Sequence, residues 1–142
     1  MQYNKGVNMF DSEFCNVQYN IEDRVVLLTW KKFSSGQNYR DPVKYSLEIF
    51  KSNQVSNYVV DARNGFEDEK GDVDWVFTEF LPKMGNTACK KVVFIMEGVN
   101  NIEDEMDMWT KKFSQYFKVY RATSYEEALE QLQSEQICNI MK

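Results

Sequence analysis

The residue types that do chemistry are sparse in this chain, and one is missing altogether: 142 residues contain no histidine. Ser-His and Cys-His nucleophilic systems are thereby excluded, as are zinc sites with imidazole ligands. The densest group of reactive side chains is acidic. Glu67, Asp68, Glu69, Asp72 and Asp74 fall within eight positions at the expected start of a helix. Carboxylates so placed could share acid–base work or hold a divalent cation through oxygen ligands. Lys70 interrupts the group and no acidic residue closes a twelve-residue cycle, which rules out an EF-hand loop. Negative charge also complements the dipole at a helix N-terminus. That plainer role is the one expected here, with no metal and no bound phosphate.

Asp61-Ala62-Arg63-Asn64-Gly65 is the more interesting run. It leaves the carboxyl end of a short β-branched strand over residues 58–61, where α/β sheets usually place ligands. Arg63 could grip a carboxylate or phosphate at two points. Equally, Asp61 and Arg63 could pair to fix the loop, with Asn64-Gly65 supplying a turn. No nucleophile–base pair is assembled, so no catalytic residue and no cofactor are assigned. Trp75 lies off the apolar stripe of its own helix, in line with Thr78, Glu79 and Pro82. It needs a cover: the Trp30–Phe33 connection, a cleft wall, or a second copy in a weak homodimer. Trp109, inside its helix stripe, reads as core, and the acidic cluster Glu103, Asp104, Glu105 and Asp107 again begins a helix. The expected ligand or partner contacts are therefore Trp30, Phe33, Asp61, Arg63 and Trp75.

The elements that position these residues follow from periodicity. Residues 14–19 alternate, with Cys15, Val17 and Tyr19 on one face, and residues 24–30 form a second strand after a short turn, which predicts an antiparallel hairpin. A helical stripe follows at Tyr39, Val43, Ser46/Leu47 and Phe50. Pro42 suits only a first turn, so this helix is expected to start late, with Asp41 as cap, or irregularly. Val73, Val76, Phe77, Phe80, Leu81 and Met84 make the clearest stripe, capped by Asp72 or Gly71 and ended by Gly85. Residues 91–96 and 117–120 are strands, and Ile102, Met106, Trp109 and Phe113 a helix between them. Ser124-x-x-Glu127 is a capping box opening the last helix, which buries Tyr125, Ala128, Leu129 and Leu132. The order ββαβαβαβα calls for one α/β domain with a mixed, mainly parallel sheet of four to five strands and helices packed on it. Residues 1–13 are expected as an irregular leader, 14–135 as the domain and 136–142 as a tail.

Composition agrees with one globular domain: 43% hydrophobic, 15% aromatic, 6 Gly and 2 Pro. No apolar run approaches a membrane span, and the first six residues show no signal segment. Seventeen basic against 22 acidic residues give a net charge of −5, without the basic footprint of a nucleic-acid protein. The Lys pairs at 31–32, 90–91 and 111–112 read as solvated faces. Cys15, Cys89 and Cys138 are odd in number and far apart, so free thiols and a cytoplasmic location are expected.

Trp30-x-x-Phe33, Asp61-x-Arg63 closing the third strand, Trp75 and Pro82 together resemble small bacterial proteins of the STAS-like group, related in fold to anti-sigma-factor antagonists and Sec14-type domains. The resemblance covers roughly residues 14–133 and implies a β/α superhelix. Anti-sigma-factor antagonists carry a phosphorylatable Asp-Ser-Ser-Gly-like turn. The nearest placement here is Asp68-Glu69-Lys70-Gly71, which lacks both serines and so departs from a kinase-controlled switch. The expectation is a non-catalytic STAS-like module binding a protein partner or small ligand. The alternatives are an apolar-ligand or lipid carrier of Sec14-like fold, and a small hydrolase or transferase using Asp61 and Arg63.

Overall fold

The computed structural model describes residues 9–65, 69–96 and 103–141, with the side chains of the last segment described for 107–133. Alternating residues build β1 (Met9–Asp11), β2 (Cys15–Asn20) and β3 (Val25–Trp30); β1 pairs β2, and β2 pairs β3, both antiparallel. Three parallel strands then add in chain order: β4 (Asn57–Asp61), β5 (Lys91–Ile95) and β6 (Lys118–Ala122). The result is one six-stranded sheet in the order β1-β2-β3-β4-β5-β6. The strand beyond the expected four to five is β1. It lies inside the stretch read as an irregular leader, because three residues are too few to show a period.

The helices are α1 (Gln37–Ser52), α2 (Lys70–Trp75) continuing through a π-helical segment (Val76–Phe80) into α3 (Leu81–Met84), α4 (Glu103–Phe113) and α5 (Tyr125–Met141). Strand parity sorts the core into two layers. Val26, Leu28, Trp30, Tyr58, Val92 and Phe94 face α1, the α2–α3 segment and α4, where Leu47, Phe50, Phe80, Met84, Trp109 and Phe113 pack on them. Val25, Val59, Val93 and Ile95 face the other way, toward Ala128 and Leu132 of α5. The three crossover helices therefore share one face, and among the described residues α5 alone covers the parallel strands from behind.

Three helix boundaries differ from expectation. α1 begins at Gln37, not late, with Pro42 inside it. Proline removes one helical hydrogen bond there, and the carbonyl it leaves belongs to exposed Asn38, which solvent can reach. Its cap is Gly36, whose φ of 61° is a left-handed conformation that glycine adopts without strain. α2 is capped by Glu69, which accepts from Gly71 N (3.0 Å) and Asp72 N (3.1 Å), rather than by Asp72 or Gly71. α5 runs on to Met141, through residues expected as a tail. Its capping box forms as Ser124 Oγ accepting from Glu127 N (3.1 Å), while Glu127 reaches back to Thr123 N (3.2 Å).

Cys15 and Cys89 are free and buried, and the side chain of Cys138 lies outside the described residues. Burial pushes the Cys89 thiol up to about 12 from an ordinary value near 9, and pushes Cys15 and Tyr58 up as well. An acid held neutral in the folded state stabilises it below the unfolded pKa and ceases to do so as pH rises through the folded one. Unfolding free energy from urea titrations is thus expected to fall steadily from about pH 9 toward pH 12. A flat profile over that window would show that these groups reach water.

Candidate functional site

The carboxyl ends of β3 and β4 carry the residues singled out by the sequence. Asp61, the last residue of β4, is buried, and two residues on Arg63 turns back over it. Arg63 Nε donates to Asp61 Oδ1 (3.0 Å) and Nη2 to Oδ2 (2.7 Å), while Arg63 N also donates to Oδ1 (3.1 Å). Two parallel charge-assisted bonds plus a backbone bond make a closed clamp. The paired reading of Asp61 and Arg63 is the arrangement seen, and two guanidinium nitrogens are committed to Asp61.

Gly65 has a different task from the turn read into Asn64-Gly65. A Cβ there would stand 2.5 Å from Lys32 O, so the loop after β4 lies directly against the loop after β3. Lys31 in turn pairs with Asp11 (2.8 Å) and Lys32 with Glu13, tying the β3 exit to the β1–β2 connection. Phe33 follows and is 54% exposed. Trp30, three residues earlier, is buried and stacks on Tyr39 of α1 with centroids 5.0 Å apart and planes at 8°. The two aromatic residues of Trp30-x-x-Phe33 thus have opposite fates.

Trp75 is half-buried between α1 and its own helix. Phe80 lies 6.1 Å away, and Arg40 and Lys44 of α1 stand over the ring at 5.4 and 5.9 Å. Cationic side chains of α1 thus cover one side of the ring, and its inner edge packs on the core. Beside it is a cluster the sequence did not reveal. Asp72, buried to 1% exposure, accepts from Arg40 Nε (2.8 Å) and from Gly36 N (2.9 Å), and Arg40 Nη2 also donates to Gly71 O (3.2 Å). Asp72 was legible only as a helix-start acid, since nothing local marks a partner 36 positions away.

The acidic group of the sequence is thus dispersed. Glu69 caps α2, Asp72 anchors α1, and Asp74 pairs with Lys70 at 3.2 Å. Glu67 and Asp68, including the Asp68-Glu69-Lys70-Gly71 turn's first position, lie outside the described residues. Among the described residues no group of three or more His, Cys, Asp or Glu could hold a metal ion.

Sheet topology bears on what this end can bind. Doubly wound sheets bind ligands where strand order reverses and successive connections part to opposite faces. Here β3 to β6 follow in chain order and the connecting helices share a face, so β3 and β4 form no such crevice. Beneath them, a cavity of about 40 Å³ lies among Trp30, Tyr39, Tyr58, Phe80 and Trp109. That is room for little more than a water molecule.

Fold and site define a β-hairpin sheet extended by sequential βα units, whose carboxyl-end charges are engaged within the chain and whose Phe33 projects. No family model, curated protein or solved structure matches the chain.

Proposed function

We propose that the protein is a non-catalytic STAS-like module that binds a protein partner through the loops at the carboxyl ends of β3 and β4, with Phe33 as the anchor. The observation that carries this reading is Phe33 itself: a large aromatic side chain, 54% exposed, on a loop pinned from both sides. A rigid aromatic surrenders little conformational freedom on binding, which is why such residues dominate interface energetics. The in-order parallel strands favour the β/α superhelix that the STAS resemblance implies. Free Cys15 and Cys89 favour a reducing compartment such as the cytoplasm, and no helix among the described residues is long and apolar enough to cross a membrane.

The competing readings have less behind them. A lipid carrier needs a large apolar chamber, whereas the apolar-lined cavity holds about 40 Å³ and the larger groove at the opposite end of the sheet is walled mostly by polar residues. A hydrolase or transferase would have to use Asp61 and Arg63, which are spent on one another. Phe33→Glu is the test. Stability should change by no more than about 0.5 kcal/mol, as for an ordinary surface substitution. A partner retained by the wild-type chain in affinity purification should be lost with the variant. If sedimentation velocity instead shows a wild-type dimer that the variant lacks, the partner is a second copy. Retention of every partner by the variant would remove Phe33 from the binding surface.

A further inference from the structure

At the opposite end of the sheet, a groove of about 650 Å³ opens between the β2–β3 turn, the α1–β4 connection and α5. That volume lies inside the range of roughly 300–1,000 Å³ typical of small-molecule sites. Its walls are fixed. Asn20 Oδ1 accepts from Asp23 N (3.1 Å) across the turn, and the Tyr125 hydroxyl donates to Asp23 Oδ2 (2.8 Å), pinning α5 to the hairpin. The amide of Asn20 donates to the same carboxylate oxygen (2.9 Å), and that of Asn57 to Arg24 O (3.2 Å). Arg24 is held at a φ of 58°, a left-handed backbone that is strained for a non-glycine residue.

The charges here are unlike those at the carboxyl end. Lys31, Lys32, Arg40 and Arg63 all pair with carboxylates. Arg24 and Lys91, which line the groove, have no ion-pair partner among the described residues. Strand register sets Val25, Asn57 and Lys91 side by side, so the two cations start about 10 Å apart, from neighbouring spacings of about 4.8 Å. Both side chains are long enough to converge on one group. Of the acids present, Asp23 already receives the Tyr125 and Asn20 donors, and Glu22 is exposed at the rim. Ile21, which is exposed, and half-buried Leu129 supply the apolar surface, with Val55 and Leu132 buried behind it.

We infer that this groove is a binding site for a small organic anion, its carboxylate or phosphate held by Arg24 and Lys91 and its apolar body laid against Ile21 and Leu129. The site is independent of the Phe33 surface and stands or falls separately from it. Titration of the full chain with phenyl phosphate, benzoate and uncharged benzyl alcohol, followed by amide chemical shifts, tests it. Phenyl phosphate or benzoate should shift the amides of Arg24, Asn57, Lys91 and Leu129 at millimolar concentration, and whichever binds tighter names the anion. Benzyl alcohol should bind at least about tenfold more weakly, the equivalent of one lost charge-assisted bond. Arg24→Gly combined with Lys91→Gln should weaken the anion by about 10- to 100-fold; glycine at position 24 suits the existing backbone, so the fold is kept. Should the double variant lose its native spectrum, Lys91→Gln alone must weaken binding about tenfold. Absence of shifts with both anions, equal binding of benzyl alcohol, or undiminished binding by the variants would overturn the site.

Discussion

Asp72→Ala is expected to lower the free energy of unfolding by about 2–4 kcal/mol, measured by urea denaturation. Removing one member of a buried ion pair strands the other, at a cost of about 3–5 kcal/mol when both are deeply buried. Arg40 is 34% exposed and can recover some water, which moves the figure down. Gly36 N loses its acceptor as well, but Gly36 is exposed and water can reach it, so this loss adds less than the roughly 1–3 kcal/mol typical of a buried donor, about 0.5–1 kcal/mol. Because Gly36 caps α1, the damage should appear as fraying of that helix. Asp72→Asn keeps an acceptor for Gly36 and should cost less. Equal stability of wild type and Asp72→Ala would mean that α1 and α2 are not joined through this carboxylate.

Arg63→Ala is expected to cost about 2–3 kcal/mol, because the Asp61 carboxylate stays buried with only the backbone N–H of residue 63 to satisfy it. Arg63→Lys should recover only part, since an ammonium cannot reproduce the two-point fork. A double-mutant cycle with Asp61→Ala should show coupling of about 1–3 kcal/mol, as directly bonded groups do. A ligand-gripping arginine would behave oppositely: its removal would spare stability and weaken a ligand. Strong destabilisation with strong coupling assigns Arg63 to the scaffold, while an unchanged unfolding midpoint would return it to the list of binding residues.

Periodicity carried most of the architecture. Alternation in residues 14–19 and the apolar stripe at Val73, Val76, Phe77, Phe80, Leu81 and Met84 were enough to set strand against helix and to order them. What escaped was decided by distant partners. The stripe from Val73 to Met84 reads as one regular helix, yet Val76–Phe80 is π-helical. That wider turn leaves Phe77 only half-buried, edge-on to Trp109 with centroids 5.1 Å apart. Pro42 argued for a late start to α1 because its cost is visible locally, whereas the Gly36–Asp72 bond that anchors the start of the helix spans 36 residues.

The candidate site was legible to the same extent. Asp61-x-Arg63 at a strand end announces a pair, and the structure closes it. Trp75 was set apart from its helix stripe, yet it packs on the edge of the core beside Val73 and Phe77, and the cations over it, Arg40 and Lys44, lie on another helix. Gly65 carried no distinguishing mark, since only the approach of Lys32 O explains it. The groove between Arg24 and Lys91 depends on register across three strands, which no local pattern encodes.

Whether Phe33 anchors a partner protein is decided by placing p-benzoyl-phenylalanine at position 33 and irradiating the protein in its native cells. Tyr116, 43% exposed beside Lys90 and Lys118 at the other end of the sheet, is the matched control position. One dominant covalent adduct is expected from position 33, and it should be absent from position 116. No adduct from position 33, or the same set of adducts from both positions, would contradict an anchoring role for Phe33.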